Sequence, residues 1–95
     1  MLVELKKLNI INEGYKRVVS LDRIYVNPSH IISVRDYDNA NDFLLQEGMH
    51  NYANNKFSLV RMSNVNTVEE VIVLGSSEDI YNSIQKPSSR ELLNG

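Results

Sequence analysis

The segment running from Arg23 to Arg35 constrains this chain more than any other. Two β-type runs, Ile24-Tyr25-Val26 and Ile31 to Val34, meet at one Asn27-Pro28-Ser29 break. Branched and aromatic side chains favour extended backbone. Pro28 fixes its own φ and has no N–H to give a ladder, while the Asn27 side chain can bond backbone two residues on. The ladder therefore stops at Asn27, Pro28-Ser29-His30 form one tight turn, and a new strand runs over residues 30–37. Ile32 and Val34 are expected on its buried face, with Ile31, Ser33 and Arg35 opposite. The break is expected to pair the two strands it joins.

Other strands flank this pair. Val3 and Leu5 alternate with Glu4 and Lys6, which predicts a strand over residues 2–8 with one wet face. Turn chemistry follows from Asn9 to Gly14, interrupted by Ile10 and Ile11. Between Arg17 and Val26 the alternation slips, because Val19 and Leu21 share one parity and Ile24 and Val26 the other. A bulge or short turn at Asp22-Arg23 would return both pairs to one core face. Residues 56–63 alternate again, Asn64 to Thr67 supply turn residues, and Val71-Ile72-Val73-Leu74 is apolar on both faces. These last two strands read as a hairpin whose second member is central or buried.

A helix follows. Ser76 with Asp79 three residues on forms a capping pattern, Glu78 and Asp79 suit the positive end of the helix dipole, and Ile80, Tyr81 and Ile84 make a packing stripe. Pro87 is expected to end it, leaving residues 88–95 as a tail after a single domain over residues 1–87. The fold class is α+β: a small, mostly antiparallel five-stranded sheet or open barrel with a C-terminal helix and a long insertion over residues 38–55. That insertion is rich in Asn and Asp yet holds Phe43, Leu44, Leu45, Met49 and Tyr52. Connections so long tend to be functional or disordered, and apolar residues argue against disorder. Asn41 or Asp42 suits the cap of a short helix ending near Gly48.

The order of residues is similar to the small FlbD/SwrD-type flagellar proteins and their uncharacterised phage relatives. The matching pieces are Leu8-Asn9, then Val26-Asn27-Pro28-Ser29-His30-Ile31, then residues 57–64, then Val71 to Ile80. The resemblance implies a small β scaffold with an acidic-capped terminal helix. Insertions over residues 10–21 and 38–55 depart from it, as does the lack of an Asn-Gly turn after the first strand. A second likeness joins Glu70-Val-Ile-Val-Leu and Glu78-Asp-Ile-Tyr-Asn-Ser-Ile-Gln85 to the last strand and helix of the CsrA translational regulators, which implies RNA binding.

Composition narrows the function classes. With 95 residues, a chain buries only about 60–65% of its unfolded surface, which makes self-association an expectation. It has no cysteine, so disulfides, thiolate nucleophiles and Cys-based zinc sites are excluded. No apolar run reaches the roughly 18 residues of a membrane span, and residues 2–8 lack a signal-peptide core, so a cytoplasmic, membrane-free protein is expected. The net charge of −2 disfavours delocalised nucleic-acid binding, although Lys6, Lys7, Lys16, Arg17 and Arg23 concentrate early.

No catalytic set emerges. His30 and His50 lack a second ligand at metal spacing, Asp36, Asp38 and Asp42 lack the closing Glu of a calcium loop, and no Ser has His-Asp support. Neither enzyme activity, cofactor nor metal is expected. The expected function is that of a regulatory or adaptor binding module, homo-oligomeric, taking a host or phage protein or a small ligand. The contacts assigned to it are Phe43, Leu44, Met49, His50 and Tyr52 in the 38–55 segment, and Arg35, Tyr37 and Arg61 on the neighbouring sheet face. The alternative is RNA binding by the basic N-terminal quarter with Arg35 and Tyr37.

Overall fold

In the computed structural model the elements run β1 (Val3–Glu13), β2 (Lys16–Val26), a 3-10 turn (Pro28–His30), β3 (Ile31–Asp36), α1 (Asn39–Gln46), α2 (His50–Ala53), β4 (Phe57–Ser63), β5 (Val68–Leu74) and α3 (Ser77–Asn94). The structure describes the backbone of residues 1–94 and the side chains of residues 1–85. The strands form one open antiparallel sheet of order β2-β1-β5-β4-β3, joined by the α-helices into an α+β fold. β5 is the middle strand, as its two-faced apolar run predicts. The β4–β5 hairpin pairs Phe57 with Leu74 through to Ser63 with Val68.

The sheet is covered on both faces, and this decides how the alternation must be read. On one face Val3, Leu5, Val60, Val71 and Val73 pack with Ile80 of α3, and Ile24, Val26, Ile31, Val34 and Ile84 border them. On the other, Leu8 and Phe57 pack with Ala40 and Leu44 of α1 and Ala53 of α2, bordered by Val19, Leu21, Ile72 and Leu74. The slip in β2 is therefore no bulge. Its register against β1 is unbroken from Val3 opposite Val26 to Glu13 opposite Lys16. Val19 and Leu21 serve one core, Ile24 and Val26 the other.

The irregularity lies instead in β3, where the pairing with β4 shifts between Ile31 and Ser33. Ile32 is the extra residue, so Ile31 and Val34 reach the same core while Ile32 stays 54% exposed. The expected burial of Ile32 opposite Ile31 is corrected by that shift.

The Asn27 break behaves locally as its chemistry requires: Asn27 Oδ1 accepts the Ser29 N–H at 3.0 Å, and His30 N–H donates to Asn27 O at 2.9 Å. It does not pair the strands it joins, because β2 and β3 occupy opposite edges. Five residue steps from Val26 to Ile31 reach at most about 18 Å, whereas four flat strand spacings cover about 19 Å. The sheet therefore curls, and both edge strands border the α3-side core.

Two elements outrun their expected lengths. β1 continues through Asn9 to Glu13 and turns at Gly14-Tyr15, where Gly14 has φ +63 and Tyr15 a negative φ, the sign pattern of a type II′ hairpin turn. Residues 10–21 thus form most of a two-stranded arm. α3 continues past Pro87, which costs one backbone hydrogen bond without ending the helix. The side chains of Leu92 and Leu93 lie outside the described residues. No helix among those described is long and apolar enough to cross a membrane.

Candidate functional site

β3 is an edge strand, and α3 packs beside it. The start of α3 is set by a reciprocal cap: Asp79 N–H donates to Ser76 Oγ at 3.1 Å, and Ser76 N–H to Asp79 Oδ2 at 3.4 Å. Gly75 supplies the sharp entry with φ +117, a left-handed conformation that side chains disfavour. Asp36, the last residue of β3, adds a tertiary cap by accepting the Ser77 N–H at 2.8 Å. These bonds to Ser77 hold the Asp36 carboxyl below its ordinary value, with Lys56 adding a smaller push. One end of α3 is thereby tied to the end of β3.

Between them lies a groove of about 550 Å³, lined by Pro28, Ile31, Ile32, Ser33, Val34, Ser77, Glu78, Tyr81 and Ile84. Its rim carries Ile32 on β3 and Tyr81 on α3, the latter 60% exposed. Ile80 and Ile84 keep the core-facing side of α3, so Tyr81 is displaced from the packing stripe predicted for it. The groove thus combines an unpaired strand edge, an apolar floor and one acidic side chain, Glu78. A polar cleft of about 400 Å³ adjoins it around Asp36, Asp38, Lys56 and Ser76.

The residues assigned to binding separate into three places. Leu44 is wholly buried beneath α1 and has no surface to offer a partner. Phe43, Met49, Tyr52 and Tyr37 border the same core, so the 38–55 segment is two helices closing one sheet face. Neither Asn41 nor Asp42 caps α1, which Asp38 precedes without a side-chain bond. Asn41 instead ties α1 to the end of α2 by donating to the Ala53 and Asn55 carbonyls. Met49, His50 and Tyr52 also line a depression of about 340 Å³ at α2.

Arg35 and Arg61 are exposed on β3 and β4 and sit diagonally on the α1/α2 side of the sheet, Arg35 opposite Leu59 and Ser33 opposite Arg61. Phe57, which shares that face, is core and not part of any surface platform. The basic N-terminal residues do not converge. Arg17 pairs with Glu47 at 2.6 Å and lies over the Phe43 ring, Arg23 pairs with Glu4 at 2.6 Å, and consecutive Lys6 and Lys7 point to opposite faces. Among the described residues no three His, Asp or Glu side chains gather as a metal site.

The groove residues were legible only as strand and helix packing. The usable signal was that Ile32 and Tyr81 are large apolar side chains beside positions already filled by Ile31, Val34, Ile80 and Ile84. No protein-family model, curated protein or solved structure matches the chain, so the likeness to FlbD/SwrD-type and CsrA proteins rests on the residues quoted for it.

Proposed function

We propose that this chain is a non-enzymatic adaptor that captures an extended, mostly apolar segment of a partner protein between β3 and α3. The observation that carries the reading is the coincidence of a free strand edge with an apolar groove beside it. An added strand would satisfy the outward backbone groups of β3, and alternate side chains would enter the groove over Ile31, Val34 and Ile84. Glu78 favours a basic residue on the incoming segment. The 38–55 helices act as the scaffold that braces the sheet from behind, and the protein works in the cytoplasm.

The test is selection from a displayed random-peptide library on the immobilised full chain, beside the variant Ile32→Glu. Ile32 is exposed, so the variant keeps the fold while placing a charge on the groove rim. The wild-type chain should enrich peptides with alternating β-branched or aromatic residues, and the variant should not. Equal enrichment by both, or by neither, contradicts the proposal.

RNA binding is the second reading, favoured by one observation: exposed Arg35 and Arg61 stand outside both ion pairs found among the described residues. It requires affinity for a single-stranded oligonucleotide that falls steeply with salt and is lost in Arg35→Ala/Arg61→Ala.

A further inference from the structure

The two sheet edges are built differently. β3 is six residues long, follows a proline turn and carries a register shift. β2 is eleven residues long and unbroken, with no proline and no bulge, and its outer edge is unpaired. An edge so long and regular is a template for another strand. Half of it belongs to the arm, where Ile10, Ile11 and Val18 are each at least 40% exposed and Tyr15 is fully so. The radius of gyration, 14.9 Å, exceeds the roughly 12 Å of a compact chain of this length, so the molecule is drawn out.

We infer that β2 pairs antiparallel with β2 of a second copy, centred on Leu21, to give a continuous ten-stranded sheet. For a second copy, like-charge repulsion selects the register. A two-fold axis through the sheet requires like-faced residues to meet, so only even steps of register are open. Centred on Leu21, all eleven residues pair: Lys16 meets Val26, Arg17 meets Tyr25, Val18 meets Ile24, Val19 meets Arg23, and Ser20 meets Asp22. No like charges stand opposite. Moving the centre to Ser20 sets Arg17 against Arg23 twice, and moving it to Asp22 sets Asp22 against itself. Centring on Val19 pairs Lys16 with Asp22 but joins only seven residues. In the Leu21 register the arm of each copy lies along the body of the other, which covers Val18 with Ile24 of the second copy.

This inference gives the expected self-association its surface, and it uses the edge opposite the proposed groove, so each can fail alone. The chain has no cysteine, so single cysteines report contacts without background. The 95-residue chain should sediment at twice 10.9 kDa. Val18→Lys should sediment as a monomer with an unchanged circular dichroism spectrum. Mixed Ser20→Cys and Asp22→Cys proteins should form a disulfide-linked heterodimer on mild oxidation, in preference to either homodimer, because residues 20 and 22 face each other across the pair. A monomeric wild-type protein overturns the inference. So does a dimer in which the mixed cysteines fail to cross-link, and this reading stands even if Val18→Lys does not fold.

Discussion

Two residues, one buried and one exposed, carry much of the local design. Leu44 has no exposed surface and sits where α1, α2 and Phe57 meet. Leu44→Ala should cost about 2–5 kcal/mol in urea denaturation, the range for a buried leucine that leaves a cavity, and a loss below about 1 kcal/mol would mean the helices are loosely seated. Asp36 gives a pH-dependent test. Its folded carboxyl is held below the unfolded value of about 4, so its contribution is fully present above that value and is lost as pH falls through the lower folded one. Asp36→Ala should therefore lower the urea midpoint at neutral pH and flatten its decline in acid. Parallel acid profiles for the two proteins would show that the Ser77 contact stabilises nothing. Of these roles only the Ser76 and Asp79 cap was legible beforehand, since its partners lie three residues apart. The Asp36 cap joins residues 41 apart in sequence, and no local pattern announces it.

At the scale of elements, strands and turns were legible where their signals are short-range. The β4–β5 hairpin, the Asn27 break and the helix after Gly75 follow from alternation, proline and capping. What misled was the slip in β2, because a change of parity signals either a bulge or a strand that serves two cores at its two ends. Choosing between these requires knowing that α1 and α2 cover the second face, and residues 38–55 show this only through the burial of Ala40, Leu44 and Ala53. Pairing partners were equally hidden: the break joins consecutive strands that end on opposite edges. This layout makes a prediction for dynamics. Amide hydrogen exchange should be slowest in β5, flanked by strands on both sides and by a core on each face, and fastest at Gly14-Tyr15. Protection in the arm equal to that of β5 would arise only if a second chain covers it, and dilution should then remove it.

For the molecule as a whole, the sheet works as a wall between two packed layers, with two edges built differently. The candidate site was the least legible part. Sequence reasoning assigned binding to the 38–55 segment and to Arg35, Tyr37 and Arg61; of these Leu44 is wholly buried, and Tyr37, Phe43, Met49 and Tyr52 border the same core. The groove arises only when an edge strand with one surplus residue is set beside a helix tied down by Asp36. Its test is an amide-resolved NMR titration of the full chain with a peptide enriched on the wild-type protein. The proposal predicts shifts confined to β3 and the first two turns of α3, with new protection of the outward β3 amides. Shifts centred on Met49, His50 and Tyr52, or on β4 around Arg61, would contradict it.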